Sequence, residues 1–203
     1  MHLPRLYAIL DSPCFYSAGA MFSAAEELAA AGVTLLQYRN KDGKAREMLE
    51  HAHMLKRLVG NSVKLVMNDR ADLALAAGFE GLHVGQDDLS PEASRLIIGH
   101  ERWLGVSTHN PDQVAEADKT TADYLAVGPV YATASKVNPD PVVGLDGVRR
   151  ARELTRKPLV AIGGITVASA RAVIEAGADA VAVISDLIRD PGKSAEAFFE
   201  VLR

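Results

Sequence analysis

Residues 158–185, PLVAIGGITVASARAVIEAGADAVAVIS, contain two short apolar runs joined by a stretch with helical spacing. The runs at 158–162 and 179–184 are continuous and rich in branched aliphatic residues, which is typical of parallel strands buried on both faces. Between them, Thr166 is suited to cap a helix N-terminus, and Gly177 is suited to follow a helix C-terminus. The stretch therefore predicts a strand–helix–strand unit.

The same alternation runs along the whole chain. Helical stretches such as 44–59, with apolar residues every three or four positions, separate short apolar runs. Strands are predicted near 5–10, 33–37, 63–67, 80–84, 103–106, 123–127, 158–162 and 179–184. This pattern predicts one α/β domain over residues 1–203, a single (β/α)8 TIM barrel. An open doubly wound sheet is the alternative, but no G-x-G-x-x-G follows the first strand.

A short internal echo supports the barrel. The sequences Ala-Gly-Val-Thr at 31–34, Ala-Gly-Phe-Glu at 77–80 and Ala-Gly-Ala-Asp at 176–179 each place a glycine where a helix turns into the next strand. A glycine at such a point most simply serves the turn itself. We therefore interpret these positions as structural.

Composition excludes several classes of protein. The 203 residues are 48% hydrophobic and 24% charged, with a net charge of −4 and no long basic run, so neither a nucleic acid nor a membrane is predicted as a partner. The single cysteine, Cys14, excludes an intramolecular disulfide and a thiolate-clustered zinc site. No apolar stretch reaches the roughly 20 residues of a membrane span. We expect a cytoplasmic protein, and the oligomeric state stays open.

Polar or glycine-rich residues follow nearly every predicted strand, and parallel strands bring them to one end of the sheet. After strands seven and eight come Gly163-Gly164 and Ile184-Ser185, which could hold a phosphate through backbone N–H groups. The alternative is that the glycines only make tight turns.

A magnesium site is predicted after strands three and four. Asp69 and Asp88 follow these neighbouring strands, and hard oxygen ligands suit Mg²⁺. Asp87 could replace Asp88. The alternative is that these carboxylates cap helices or pair with Arg70.

Further polar side chains converge on the same end. Gln37, Arg39 and Lys41 alternate after strand two, so they can point the same way and offer an amide to a heteroatom-bearing ring and two cations to an anion. Ser107 adds a hydroxyl. His83 is interpreted as a hydrogen-bonded core histidine, whereas His109 lies at the mouth and could move a proton.

The long connection at 128–143 contains three prolines. A loop of this length in a compact domain is usually functional or disordered, and its position predicts a lid. Within it, Lys136 offers a mobile cation, and Thr133 and Ser135 offer hydroxyls.

These motifs together resemble the thiamine phosphate synthase family over nearly the whole chain. They are Q-x-R-x-K at 37–41, Asn68-Asp69, H-x-G-Q-x-D at 83–88, G-V-S at 105–107, G-P-x-Y-x-T-x-S-K at 128–136, I-G-G-I at 162–165 and I-S at 184–185. Ser135 stands where many members have threonine, and the chain begins almost at its first strand.

The resemblance implies a Mg²⁺-dependent barrel enzyme. It would join a hydroxymethylpyrimidine diphosphate to a thiazole phosphate, giving thiamine phosphate and pyrophosphate through a dissociative reaction. By resemblance, the metal ligands are Asp69 and Asp88. The pyrimidine diphosphate ligands are Gln37, Arg39, Lys41, Asn68, Ser107 and Lys136, of which Arg39, Lys41, Ser107 and Lys136 are catalytic. The thiazole phosphate ligands are Thr133, Ser135, Gly164, Ile184 and Ser185.

Two rival functions remain. A thiazole tautomerase of the same fold would need no diphosphate or metal site; Asp69, Asp88, Lys41 and Lys136 argue against it, and only His109 favours it. The other rival is a non-catalytic phosphate-binding barrel.

Overall fold

The computed structural model describes residues 3–133 and 140–203. Eight parallel strands follow one another around a closed barrel, in which β8 pairs back to β1 through Leu6 and Val181. The strands are β1 (Leu6–Asp11), β2 (Leu35–Arg39), β3 (Lys64–Asn68), β4 (Gly81–Val84), β5 (Trp103–Thr108), β6 (Tyr124–Val127), β7 (Leu159–Ile162) and β8 (Ala180–Val183). The predicted (β/α)8 barrel is confirmed.

Each strand is followed by a helix on the outside of the barrel. The helices are α1 (Ala18–Ala30), α2 (Ala45–Val59), α3 (Ala71–Ala76), α4 (Pro91–Ile98), α5 (Pro111–Asp118), α6 (Gly144–Leu154), α7 (Val167–Glu175) and α8 (Pro191–Val201). The predicted caps of α7 are confirmed: Thr166 forms a capping box with Ser169, and Gly177 has a φ of 114° just beyond the helix. In the described part of the chain, no helix is long and apolar enough to cross a membrane.

Two apolar layers hold these elements together. The larger lies between strands and helices and includes Tyr38, Met67 and Phe198, whereas the smaller fills the barrel interior and includes Tyr7, Tyr124 and Val160. Side chains alternate between these layers along each strand. The interior layer carries two tyrosine hydroxyls, so polar groups reach deep into the barrel.

Strand β2 begins two residues later than its predicted range of 33–37. Val33 closes the end of α1 instead, because its N–H donates to the Leu28 carbonyl at 3.0 Å. The later strand runs to Arg39, so Gln37 and Arg39 lie inside the regular ladder and share one face. The strand, and not a loop, therefore sets the directions of the Gln37 and Arg39 side chains.

The N-terminal ends of the strands, which we call the base, carry a repeated ionic contact. Each contact has three members. A carboxylate lies just before an even-numbered strand and accepts a backbone N–H from the odd-numbered strand beside it. The carboxylate also pairs with a cation from the helix that precedes the odd-numbered strand. These base clamps are Leu65 N–H, Glu80 and Lys56; Leu104 N–H, Asp123 and Arg95; and Leu159 N–H, Asp179 and Arg152, with N···O distances of 2.9, 2.7 and 2.8 Å for the three backbone bonds. Glu80 and Asp179 end two of the sequence echoes, so those echoes mark structural positions.

Candidate active site

The opposite end, the mouth, opens into a cavity of about 420 Å³. All eight strands contribute to its walls. Of the residues predicted for the site and described in the structure, the cavity is lined by Gln37, Arg39, Lys41, Asn68, Asp69, Asp88, Ser107, Thr133 and Ile184. One cavity therefore collects residues from strands far apart in the sequence.

Arg39 is held at the cavity by a buried partner. Its guanidinium donates to Asp11 at 2.6 Å, and the Asp11 side chain is only 4% exposed. Asp11 ends β1 beside Arg39 in the strand ladder. A buried carboxylate restrains the orientation of a guanidinium group that it binds. Asp11 therefore holds the Arg39 side chain in place at the mouth. The sequence motifs had assigned no role to Asp11.

A second cluster joins Lys41, Asp69 and Asp88. Lys41 Nζ lies 2.8 Å from Asp69 Oδ2, and Asp88 accepts the Gly85 N–H at 2.8 Å. Burial raises the pKa of Asp69, and a hydrogen bond with Asp88 and the charge of Asp88 raise it further, against the lowering effect of Lys41. It is unfavourable for two carboxyl groups in contact to be ionised at the same time. The predicted alternative, a pairing with Arg70, is absent, since Arg70 binds Asp72.

The backbone at Asp69 is strained. Its φ of 62° makes it the one non-glycine residue with positive φ in the described ranges, and its N–H donates to the His83 carbonyl at 2.8 Å. Such a conformation persists only where surrounding contacts enforce it, and such residues concentrate at functional sites. Asp69 in this conformation contacts Asp88 across the ends of β3 and β4.

The donor set fits a hard divalent cation in part. Within residues 3–133 and 140–203, no group of three or more His, Cys, Asp or Glu side chains is arranged to hold a metal. Asp69 and Asp88 could offer two carboxylate oxygens, and a bound cation would relieve the repulsion between them. Mg²⁺ commonly binds through one or two carboxylates, with waters and substrate phosphates completing its shell.

Five side chains form a continuous hydrogen-bonded chain through the interior. Gln37 Nε2 donates to the Tyr7 hydroxyl at 2.8 Å, and that hydroxyl lies 3.1 Å from the Tyr124 hydroxyl. His83 then bridges Tyr124 at 3.0 Å and Ser107 at 2.8 Å through its two ring nitrogens. We call this chain the interior relay. Burial lowers the pKa of His83 to about 4, so its imidazole is neutral at neutral pH.

His83 was predicted as a hydrogen-bonded core histidine. That prediction is confirmed, yet the ring also lines the cavity. His109 lies at the mouth as expected: its Nδ1 is 2.7 Å from the Gly128 carbonyl, and its Nε2 is 3.5 Å from Asp140. His109 is therefore anchored to the connection that follows β6.

The glycines after β7 serve close packing. A Cβ at Gly163 would lie 2.5 Å from Pro129 Cβ, and one at Gly164 would lie 2.5 Å from the Ala132 carbonyl. Both also have positive φ. The N–H of Tyr131 donates to the Gly163 carbonyl at 2.9 Å, so residues 129–132 lie directly across this turn. The alternative of tight turns thus accounts for their presence.

The predicted thiazole phosphate residues divide into two groups. Thr133 and Ile184 line the cavity, as does Gly163, whereas Gly164 and Ser185 are not among the lining residues. Ser185 begins a short 3-10 turn, Ser185–Leu187, and is exposed at the rim.

The remaining predictions for the site have different outcomes. Ser135, Lys136 and part of the predicted lid at 128–143 lie outside the described residues. The structure brings Asp88, rather than the exposed Asp87, into contact with Asp69. Tyr7 and Tyr124 were not predicted as site residues. The one feature that could have identified them is an aromatic residue with a hydroxyl group at an inward-facing position of an otherwise apolar strand.

The fold and the cavity are those of a (β/α)8-barrel enzyme. Residues 6–187 match the family model for thiamine monophosphate synthase. The chain is 61% identical to the thiamine-phosphate synthase of Koribacter versatilis, over 100% of this chain and 97% of that protein. It is 43% identical to the thiamine-phosphate synthase of Chloroflexus aurantiacus, over 91% of this chain and 85% of that one.

A solved structure agrees with these relatives. Thiamine phosphate pyrophosphorylase from Pyrococcus furiosus superposes with a TM-score of 0.86 at 32% identity, covering 98% of this chain and 95% of that one. The chain therefore belongs to the thiamine monophosphate synthase family, as its motifs predicted. It is an enzyme of thiamine biosynthesis and a transferase.

Proposed function

We propose that this enzyme condenses 4-amino-5-hydroxymethyl-2-methylpyrimidine diphosphate with 4-methyl-5-(2-hydroxyethyl)thiazole phosphate, giving thiamine phosphate and pyrophosphate. The observation that carries the proposal is the charge arrangement of the mouth. Two cations, Arg39 and Lys41, and two carboxylates, Asp69 and Asp88, line one cavity, and this combination suits a diphosphate bound together with a divalent metal ion.

The pyrimidine diphosphate is assigned to the β2–β5 side of the cavity. There Gln37 and Asn68 offer amide groups to the heterocycle, while Arg39 and Lys41 offer positive charge to the diphosphate. Lys136 is assigned to the same diphosphate and remains a prediction outside the described residues. Asp11 supports this assignment because it fixes Arg39 from behind, which reduces the reorganisation needed when an anion arrives.

Mg²⁺ is proposed as the cofactor, with Asp69 and Asp88 as its protein ligands. When bound, it would neutralise charge on the diphosphate and so help that group to depart. The raised pKa of Asp69 supports the assignment, since a second cation beside this pair would favour its doubly ionised form. Lys41 would then be freed from Asp69 to contact the diphosphate directly.

The thiazole phosphate is assigned to the other side of the cavity, formed by the connections after β6, β7 and β8. Thr133 and Ser135 would contribute hydroxyls, and Gly164, Ile184 and Ser185 would contribute backbone groups. The packing role of Gly163 and Gly164 is compatible with this assignment, because the same turn carries backbone groups at the rim. Two separated anion sites fit a reaction of two phosphorylated substrates.

The proposed reaction is dissociative. The electron-rich aminopyrimidine stabilises positive charge at its methylene as pyrophosphate leaves, and the thiazole nitrogen then captures that carbon. Such a route requires no general base and no covalent nucleophile from the protein. Catalysis consists of holding the two rings in line and stabilising the departing charge with Arg39, Lys41, Ser107 and Lys136. The predicted lid over 128–143 would keep water from the reactive carbon.

A coupled assay of pyrophosphate release tests the proposal. Turnover should require both substrates and Mg²⁺, and the product should be thiamine phosphate. Isomerisation of the thiazole phosphate without release of pyrophosphate would instead identify a tautomerase, which the position of His109 at the mouth would serve. A protein that binds phosphates but catalyses neither reaction would be the non-catalytic barrel.

A binding measurement separates the synthase from both rivals without turnover. Pyrophosphate should raise the melting temperature only when Mg²⁺ is present, because the diphosphate and the metal complete one another's coordination. Protection by pyrophosphate alone would contradict a shared metal and diphosphate site. The cytoplasmic location remains a prediction that rests on the single cysteine.

A further inference from the structure

The interior relay has a direction that can be followed from donor to acceptor. Gln37 Nε2 donates to the Tyr7 hydroxyl at 2.8 Å. A hydroxyl has one proton, and among the described residues the Tyr124 hydroxyl, 3.1 Å away, is the acceptor that the structure offers to Tyr7. Tyr7 therefore donates to Tyr124. The proton of Tyr124 is then available for the next group in the relay.

The second half of the relay assigns the proton on His83. The Tyr124 hydroxyl lies 3.0 Å from Nδ1 of His83, and because its oxygen accepts from Tyr7, its own proton is directed to that nitrogen. An imidazole that accepts at Nδ1 is neutral and carries its proton on Nε2. Nε2 lies 2.8 Å from Ser107 Oγ, so His83 donates and Ser107 accepts. The Ser107 hydroxyl keeps its own proton for a ligand in the cavity.

The barrel is built to keep this relay intact. A Cβ at Gly105 would lie 2.1 Å from Tyr124 Cζ and 2.4 Å from His83 Nδ1, so only glycine leaves room for the Tyr124–His83 hydrogen bond. Both tyrosines are 1% or less exposed. An apolar strand could have filled this interior with aliphatic side chains, as β7 and β8 do. Three buried polar groups placed in contact indicate a requirement beyond packing.

We propose that Tyr7, Tyr124 and His83 are positioning residues that set the hydrogen-bonding polarity of the two relay ends. Ser107 is fixed as a donor toward a lone pair of the substrate. Gln37 commits one N–H to Tyr7, which fixes the orientation of its amide, and its carbonyl oxygen is presented as an acceptor. The relay thus selects a heterocycle that carries an amino donor together with an acceptor atom, which an aminopyrimidine diphosphate provides. This inference deepens the proposed function and rests on it for the identity of the substrate.

The tautomer of His83 tests the direction of the relay without any substrate. Protein labelled with ¹⁵N-histidine would be examined by NMR at pH 8, and the His83 signals would be assigned among the six histidines by their loss in His83→Gln. The proposal requires a proton on Nε2 and an unprotonated Nδ1. A proton on Nδ1 in the native protein would overturn it, since the relay would then run from Ser107 toward Gln37.

Kinetics test whether the relay acts through Ser107. Tyr124→Phe and Tyr7→Phe remove only a hydroxyl, and each should lower kcat/KM for the pyrimidine diphosphate about tenfold while leaving KM for the thiazole phosphate unchanged. Tyr38→Phe is the matched control: Tyr38 is equally buried, but its hydroxyl contacts His51 on the helix side. Its kinetics should stay within about twofold of the native enzyme, a change too small to represent a lost hydrogen bond.

A double variant completes the test. Adding Tyr124→Phe to Ser107→Ala should cause less than about twofold further loss, because the hydroxyl that the relay orients is already gone. Fully multiplicative losses would overturn the positioning role. If the native enzyme releases no pyrophosphate from the two substrates, the proposed function fails, while the His83 tautomer still decides the direction of the relay.

Discussion

The base and the mouth of this barrel use the same residue types in opposite ways. At the base, each carboxylate of a clamp accepts a backbone N–H and pairs with one helix cation, as Asp123 does with Leu104 and Arg95. At the mouth, Asp69 and Asp88 touch one another, and the backbone at Asp69 is strained. Matched charges stabilise a fold, whereas crowded like charges require a ligand to balance them.

The largest expected effect comes from substitutions of the two carboxylates at the mouth. Asp69→Ala or Asp88→Ala should lower Mg²⁺-dependent turnover by on the order of 10³-fold, because the proposed metal loses a ligand. The fold should stay intact, because relief of the repulsion between the two carboxyl groups offsets part of the loss of the Lys41 pair or of the Gly85 hydrogen bond. Pyrophosphate release and urea unfolding, measured on the same samples, check both parts. Full activity in both variants would remove the metal assignment.

The next effect concerns pH. Burial holds the pKa of His83 at about 4 in the folded protein, against 6.5 for the exposed side chain. The unfolded state therefore binds the extra proton first, so the stability that His83 contributes is complete above pH 6.5 and is lost as pH falls toward 4. The full loss amounts to about 3 kcal/mol.

Urea unfolding of the native protein and of His83→Gln between pH 4 and pH 7 measures this contribution. The stability difference between the two proteins should depend on pH only within that window. If the unfolding free energies of the two proteins changed with pH in parallel, protonation of His83 would make no contribution to stability.

A change at the base should have the reverse profile. Asp123→Ala leaves the Leu104 N–H without its acceptor and removes the charge partner of Arg95, whose side chain is 6% exposed. We expect the free energy of unfolding to fall by about 2 kcal/mol, with kcat of the folded enzyme unchanged. Glu116→Ala, which breaks an exposed pair with Lys119, is the control and should cost less than about 0.5 kcal/mol. A lower kcat in Asp123→Ala would show that base and mouth are coupled.

The smallest effect separates the two sides of the mouth. Ser185→Asp places a negative charge at the exposed rim after β8. It should raise KM for the thiazole phosphate about tenfold and leave KM for the pyrimidine diphosphate within about twofold, because the two anions are proposed to bind apart. Ser185→Asn keeps the size without the charge and should have little effect. Equal increases in both KM values would contradict separate sites.

The sequence predicted the architecture and one side of the mouth because both follow from local patterns. Buried parallel strands are continuous apolar runs, and Gln37, Asn68 and Ser107 lie where such runs end or turn polar. Tyr7 and Tyr124 were missed because an aromatic residue inside an apolar strand looks like packing until its hydroxyl is seen to meet another. Asp88 was preferred to Asp87 on the family resemblance, and the structure brings Asp88 into contact with Asp69, although spacing alone does not distinguish the two neighbours.

The other side of the mouth illustrates the limit of motif reasoning. Gly163 and Gly164 predicted a phosphate turn. Their immediate neighbours are residues 129–132, which would collide with a side chain there, so close packing alone explains the two glycines and the phosphate site stays a prediction. The sequence echo at 77–80 and 176–179 was correctly interpreted as structural. It did not reveal that Glu80 and Asp179 clamp their strands, because a strand and a helix separate each carboxylate from the helix that carries its partner cation.

The base clamps divide the chain into successive cassettes. Each clamp joins a helix to the two strands that follow it. The cassettes are therefore the segments α2–β4, α4–β6 and α6–β8, and the contacts of each clamp lie within one segment. The mouth loops inside the first two cassettes after β3 and β5 span only 69–70 and 109–110, whereas the loops between cassettes span 85–90 and 128–143. Insertions, deletions and recombination at these junctions leave every clamp unbroken. Evolution can therefore change the connections between cassettes while the cassettes themselves are inherited intact.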